Sequence, residues 1–443
     1  MNTIPRGGQF AAAPPSAEHP VSWRCSPGPY NWGSPTIYAA VLTAQSVRRL
    51  ILALAWVATA SRAGAQVLPE DPVRSPDGRL VVSAELVSTF GSHDDTAFFN
   101  YTDYEHNALR MLRLGTSGVW RPMSWLALAA EIRSEDLEHP KVYAAYARIR
   151  PWRDHAFDID AGRIPPTFGS FSRHAYTTDN PVIGYPLAYQ YLTSLRTDAV
   201  PARADDVLRM RARGWRSSFP VGAQNPGPGV PLVSGFRWDT GVRAGWKGGP
   251  VELTAAVTNG TLSNPRFSDD NAGKQVSARV ALSPAIGLVV GVSGAEGAWL
   301  ARSVPTTGSP KQRALGADVE YSKDHWLVRA EMVFSRWALP LALAPSKVQS
   351  LDALGRWVEG RYRITPRIFV AARADRLGFS QLSGSAPGSV ALPWDAPVTR
   401  VEAGAGYYLQ RNLVARATVQ TNRRSAGRVF ARTFISAQLA YWF

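Results

Sequence analysis

The stretch Phe434-Ile435-Ser436-Ala437-Gln438-Leu439-Ala440-Tyr441-Trp442-Phe443 decides how this chain is to be read. Side chains of an extended strand alternate between its two sides. Ile435, Ala437, Leu439, Tyr441 and Phe443 therefore share one side, and Ser436, Gln438 and Ala440 the other. The first side is apolar and ends in aromatics; the second is small and polar. Such a division suits a wall between hydrocarbon and water, as in a membrane-spanning β-barrel. A soluble domain can end in a similar strand, so the test is whether the preceding chain supplies the other strands of a barrel.

The segments just before it repeat the pattern. Val401, Ala403, Ala405 and Tyr407 alternate with Arg400, Glu402, Gly404 and Gly406. After Leu409-Gln410-Arg411-Asn412, residues Leu413, Ala415, Ala417 and Val419 alternate with Val414, Arg416, Thr418 and Gln420. The alternation predicts that arginine at Ala403 or Ala417 meets lipid, and that Gly404 and Thr418 accept it in water. Further turns are expected around Ile364–Arg367, Ser322–His325, Leu282–Ala285, Lys247–Pro250, Arg150–His155 and Arg121–Met123. Sixteen strands follow: 79–90, 107–119, 124–134, 141–150, 156–163, 235–246, 250–259, 273–282, 286–296, 311–322, 325–336, 352–364, 368–379, 397–409, 412–423 and 427–443. Short turns follow the even strands, and nearly every long connection follows an odd one. That asymmetry belongs to a transmembrane antiparallel up-and-down β-barrel, with short turns at one rim and loops at the other. The expected fold class is thus all-β, with the barrel over 79–443.

Composition agrees with many short strands. The 443 residues include 37 glycines and 33 prolines, and no run of eighteen apolar residues that would make a membrane helix. Mean hydropathy is −0.15, as a wall with one wet face requires. The formal net charge is +15, and only Lys141, Lys247, Lys274, Lys311, Lys323 and Lys347 are lysines. The arginines are spread singly, which argues against a nucleic-acid partner.

Residues 1–46 are an aperiodic Pro/Ala/Ser-rich extension, consistent with an over-long start and a true beginning near Val41, Leu42 or Val47. Arg48-Arg49, the apolar run Leu50–Ala60 and Ala63-Gly64-Ala65 have the form of a secretory signal peptide over 47–65. Cleavage after Ala65 leaves Gln66 first, with 66–78 a short periplasmic segment. Cys25 is the only cysteine and lies in the removed part, so the mature chain has no disulfide or thiolate ligand.

One connection is too long for an ordinary loop: Ile164 to Ser234. In a sixteen-stranded barrel it can fold inward and narrow an otherwise wide pore. Within it Arg173, Arg196, Arg203, Arg209, Arg211, Arg213 and Arg216 outnumber Asp179, Asp198, Asp205 and Asp206. Residues 205–216 alternate like a strand, and Arg209, Arg211 and Arg213 would point the same way if extended. Rings of arginine select anions; loop arginines can equally bind lipopolysaccharide or sit in solvent. On the strands, Arg133, Arg148, Arg243, Arg279, Arg329, Arg361, Arg363, Arg373, Arg400 and Arg416 fall on the inner side. So do Glu131, Asp158, Asp160, Asp318, Glu320, Glu331, Glu359, Asp375 and Glu402. These line a pore or merely neutralise one another across neighbouring strands.

Two resemblances add to this. A terminal Phe443 with Tyr441 two residues earlier resembles the assembly signal of bacterial outer-membrane barrels, which implies recognition by the barrel assembly machinery. Gly162-Arg163-Ile164-Pro165-Pro166-Thr167-Phe168-Gly169, then Asp239-Thr240-Gly241-Val242-Arg243 and Val257-Thr258-Asn259-Gly260, resemble the phosphate-selective porins in the same order. The resemblance implies an outer-membrane porin, commonly a homotrimer, with an inward third loop and an arginine-lined pore. That family's constriction also carries lysines, and the long loop here has none. The expectation is passive diffusion of small anionic solutes through an outer membrane of lipid and lipopolysaccharide, with no cofactor, metal or catalysis. The alternatives are a channel specific for organic acids or sugars, a barrel with a structural or partner-binding role, an enzyme, and a plugged transporter. His93, His106, His139, His155, His174 and His325 all fall in turns or loops without the spacing of a triad or metal site, and are expected to be solvent-exposed.

Overall fold

The computed structural model describes residues 69–443 except 95–97, 103–105, 153, 236, 271–272 and 307. The extension, the signal peptide and its cleavage site lie outside the described residues. Sixteen antiparallel strands close into a barrel. They are β1 Leu80–Gly91, β2 Leu112–Met123, β3 Leu126–Glu135, β4 Lys141–Ile149, β5 Ala156–Ile164 and β6 Asp239–Gly248. Next come β7 Val251–Thr258, β8 Gln275–Ala285, β9 Leu288–Ala298, β10 Lys311–Lys323 and β11 Trp326–Leu341. The last are β12 Ala344–Arg363, β13 Ile368–Phe379, β14 Val398–Gln410, β15 Leu413–Arg424 and β16 Ala431–Trp442. Each pairs with its neighbours in sequence, and β1 closes the wall on β16, from Glu85 opposite Trp442 to Gly91 opposite Ser436.

The strand number and order are those expected; several ends are not. Strand β2 runs on to Met123, so Arg121–Met123 is not a turn: a register shift between Trp120 and Met123 absorbs Pro122, and Ser124-Trp125 makes the turn. A similar shift carries β8 past Pro284 to Ala285. The expected loop 337–351 is instead the tip of a long hairpin, because β11 and β12 extend to Leu341 and Ala344. Trp337, Leu339, Leu341 and Leu351 are buried there, and the pairing continues to a register shift between Pro340 and Leu341.

Burial runs opposite to that of a soluble domain. Leu315 is 65% exposed, Ile435 60% and Val401 56%, all pointing away from the barrel axis. Arg373 and Arg400, pointing inward, are 1% exposed. An outward apolar surface on every strand is tolerable only against hydrocarbon. Ala403→Arg or Ala417→Arg should therefore each destabilise the folded barrel by about 2–4 kcal/mol. Unfolding titrations in lipid vesicles check this, and wild-type midpoints would show that these faces do not meet lipid. The companion expectation for the inner side is overturned. A Cβ on Gly404 would collide with the Ala417 carbonyl and Thr418, and Thr418 is itself buried and 3.0 Å from Ser436 Oγ. Neither position has room for arginine.

At one rim the connections are short turns. At the other they are loops, named here L1 (92–111), L2 (136–140), L3 (165–238), L4 (259–274), L5 (299–310), L6 (342–343), L7 (380–397) and L8 (425–430). At the short-turn rim, Pro69 O accepts from Asn412 Nδ2 at 2.6 Å and Tyr441 Oη at 2.8 Å, tying the entering chain beside the seam.

Candidate pore constriction

L3 lies against the inner wall. Its Phe168, Phe171, Tyr185, Leu187, Tyr189, Leu232 and Val233 bury themselves with Val333, Trp337, Leu351, Trp357 and Leu377 of β11–β13. The one-turn helix α1 (Leu187–Gln190) has every residue buried. Apolar packing alone would leave the backbone of such an insert unsatisfied, and burying an unpaired peptide group is costly. The wall's charged residues meet that need.

Inward carboxylates receive L3 amides. Glu331 accepts from Ser170 N at 2.9 Å, Tyr189 Oη at 2.8 Å and Trp357 Nε1 at 3.2 Å. Glu402 accepts from Ile183 N at 3.1 Å and Gly184 N at 2.9 Å, and Asp375 from Leu187 N at 3.2 Å. A side chain at Gly184 would run into the Glu402 carboxylate, so only glycine permits that approach. Inward arginines serve L3 carbonyls. Arg329 donates to Asp179 O at 2.9 Å, Arg416 to Thr177 O at 2.7 Å, and Arg400 to Tyr185 O at 2.8 Å. Arg373 donates to Gly184 O at 2.7 Å, Asn180 Oδ1 at 2.6 Å and Glu359 Oε2 at 3.0 Å.

The arginines marked out by sequence thus fall into three groups. Arg329, Arg373, Arg400 and Arg416 are buried braces under residues 177–190 of L3. On the opposite wall Arg243 and Arg148 share Asp160, each at 2.8 Å, and L3's Arg173 reaches Glu252 of β7 at 2.9 Å. Arg361 is half-buried near Phe369, its guanidinium 5.9 Å from the ring centroid. The third group, Arg203, Arg209, Arg211, Arg213 and Arg216, lies in the outer part of L3. Arg196, expected among them, is instead buried and clamps Asp198 and the carbonyls of Ser217 and Asn225.

Residues 205–216 are not extended. Ala204–Arg209 forms helix α2 and Gly214–Arg216 a 3-10 turn, so Arg209, Arg211 and Arg213 do not share a direction by strand alternation. Asp205 and Asp206 sit in the first turn of α2 and favour its start, Asp206 accepting the amides of Ala202 and Arg203 at 2.9 and 3.0 Å. Arg209 folds back on Asp206. Arg203, Arg213 and Arg216 are exposed and Arg211 half-buried; the Arg203 charge acts on Asp205, whereas the other three have no carboxylate partner among the described residues. The segment is fastened beneath neighbouring loops. Trp215 stacks on Phe98 of L1 at 5.3 Å, and Ala212 N donates to Asp395 of L7 at 2.8 Å. Burial raises the Asp395 carboxyl above its usual range, with the Ala212, Ala396 and Ser194 amides opposing. In L1, burial likewise pushes Asp94 up to about 6.

Two histidines depart from the expectation of solvent exposure. His106 is buried in L1, 3.1 Å from Asp136 of L2, and His174 lies 3.1 Å from Glu320 inside the barrel. Alternation showed that Glu331, Asp375 and Glu402 face inward; that their partners are L3 amides could not be read from spacing.

No family model matches this sequence, and no curated protein matches it. Solved structures do. The anion-selective porin from Comamonas acidovorans superposes with a TM-score of 0.52 at 8% identity, covering 82% of this chain and 99% of that one. The outer membrane channel DcaP of Acinetobacter baumannii gives 0.51 at 11% identity, over 84% and 100%. At such identities the likeness is one of fold: this chain has the sixteen-stranded barrel of bacterial outer-membrane porins.

Proposed function

We propose that the protein is an outer-membrane porin through which small anionic solutes diffuse passively, with L3 setting the width of the path. The observation that carries this reading is the fastening of L3 to both sides of the inner wall by charged side chains. A passive pore needs a rigid restriction and no moving catalytic group. Preference for anions is supported by Arg211, Arg213 and Arg216, which have no carboxylate partner among the described residues and lie beside the long loops; Arg203, near Asp205, contributes less. Low-dielectric walls focus such a field. Arg173, Arg209 and Arg243 are ion-paired and contribute less, as do the buried braces; Arg361 adds positive charge deeper in the lumen. The resemblance to phosphate-selective porins favours anions too, although the lysine-free loop departs from their constriction. That resemblance also implies a homotrimer in a membrane of lipid and lipopolysaccharide. The likeness of Tyr441 and Phe443 to an assembly signal implies the barrel assembly machinery, and the segment 47–65 implies export with cleavage after Ala65.

Reversal potentials in a KCl gradient test the selectivity. The wild type should favour chloride. Arg211→Ser/Arg213→Ser/Arg216→Ser should lose much of that preference while folding normally, most clearly at low salt where screening is weakest. Adding Arg209→Ser/Asp206→Asn should change little, because it removes a pair that is already neutral. A cation-selective wild type, or a triple variant with an unchanged reversal potential, would refute the assignment.

A further inference from the structure

The lipid-facing side of the barrel carries two rows of charge that differ in one respect. The first crosses β9–β12, where Glu296 lies opposite Arg313, Arg313 opposite Arg336, and Arg336 opposite Asp352. It neutralises itself: Arg313 reaches Glu296 at 2.7 Å, Lys311 also pairs with Glu296, and Arg336 grips Asp352 through two bonds of 2.6 and 2.8 Å. The second crosses β12–β15. Arg356 lies opposite Arg376, Arg376 opposite Thr399, and Thr399 opposite Arg423. All four residues are exposed and point outward with their apolar neighbours.

Nothing among the described residues neutralises this second row. Among the described residues Arg356, Arg376 and Arg423 have no carboxylate partner. Outward strand positions hold only two carboxylates, Glu296 and Asp352, both engaged by the first row. Like charges directly opposite on neighbouring strands, about 5 Å apart, repel. One step toward the short-turn rim the facing residues are Val358, Ala374, Val401 and Thr421, so Arg356 and Arg376 border hydrocarbon. Barrel strands tilt, and the row accordingly runs obliquely, with Arg423 at the end of β15 beside L8. An unpaired guanidinium at such a boundary needs an anion that the bilayer itself supplies.

We infer that Arg356, Arg376 and Arg423 form a binding site for the phosphate groups of a lipid in the leaflet at the long-loop rim. The directly opposed Arg356 and Arg376 offer two guanidinium forks to one phosphate, and Arg423 engages a second group on the same headgroup or its neighbour. Arg–phosphate pairs are strong because both partners are charged and the contacts can be bidentate. Ala372, Ala374, Ala403 and Ala417, with Val401 and Val419 among them, give the acyl chains an apolar bed beside the site. This inference rests on membrane placement of the barrel and is independent of what the pore conducts.

Native mass spectrometry of the full barrel released in detergent tests it, with three probes titrated separately: bis-phosphorylated lipid A, its dephosphorylated form, and inorganic phosphate. The wild type should retain bis-phosphorylated lipid A at least about tenfold more tightly than either other probe, roughly 1.4 kcal/mol. Arg356→Gln/Arg376→Gln/Arg423→Gln should lose that difference while keeping its heat-modifiable fold, and the corresponding lysine variant should recover part of it. Arg313→Gln/Arg336→Gln, which disrupts the self-neutralised row, should bind the lipid as the wild type does. Three outcomes overturn the proposal: equal retention of phosphorylated lipid by wild type and glutamine variant; equal binding of inorganic phosphate, which marks a general anion site; and loss of oligomers in the glutamine variant without loss of lipid, which marks an interface between copies.

Discussion

Deleting Phe443 should nearly abolish folded protein in the outer membrane, while the purified chain still refolds into detergent with only a modest loss of stability. The structure shows how little the residue contributes energetically. Phe443 adds two ladder bonds to the seam, its N–H to Ala84 O at 3.0 Å and its carbonyl from Ala84 N at 3.1 Å. Each is worth about 1 kcal/mol net. Its ring lies 6.0 Å from Tyr441 on the outward side, and burying a phenylalanine contributes about 1.5–3 kcal/mol. A barrel held by sixteen paired strands survives such a loss. The recognition that the Phe443 ending implies would not, and on that reading the effect in cells should far exceed the effect in vitro. Heat-modifiability on gels, measured for membranes and for refolded protein in parallel, separates the two. Wild-type levels in membranes would show that the terminus is only the end of a strand. Equal failure in both settings would assign the residue to seam stability instead.

Arg373→Met should destabilise the barrel by about 3–5 kcal/mol and raise single-channel conductance. Removing one partner of a buried ion pair leaves the other charge unpaired, and that penalty dominates the change. Here the stranded group is Glu359, left with Arg329 at 3.4 Å. The same substitution removes the donors that hold Gly184 O and Asn180 Oδ1, the points where the 180–184 turn of L3 meets β13. Glu402 still holds the amides of Ile183 and Gly184. L3 should thus loosen at this turn without leaving the lumen. Arg373→Met/Glu359→Gln should recover about half the stability, because the unpaired charge is gone, but not the wild-type conductance, because the turn remains free. Denaturant midpoints and planar-bilayer recordings distinguish these outcomes. An unchanged conductance in the single variant would show that the turn does not border the path.

What the sequence determined by itself is the wall. Period-two alternation is a local property, set by side chains that must meet hydrocarbon on one side and water or polar partners on the other. It placed Val401 and Ile435 outside and Arg400 and Gln438 inside, and the short turns beside the even strands followed from the same count. Strand ends were less legible where the reason for extension is distant: Trp337 and Leu351 lengthen a hairpin because L3 and L7 cover them. The interior was decided only by the tertiary structure. Alternation says that Glu331, Asp375, Arg373 and Arg400 face inward, yet their partners are backbone groups of a loop some two hundred residues away in sequence. For residues 205–216 the local pattern pointed the wrong way. The spacing of Val207, Arg209, Arg211 and Arg213 imitates a strand, but the segment pairs with no strand among the described residues. The amides of Ala202 and Arg203 found the Asp206 carboxylate instead, and a helix formed. A strand is stabilised by its partner and a helix by its own bonds, so a lone alternating segment enclosed in a loop takes the conformation that satisfies its backbone locally.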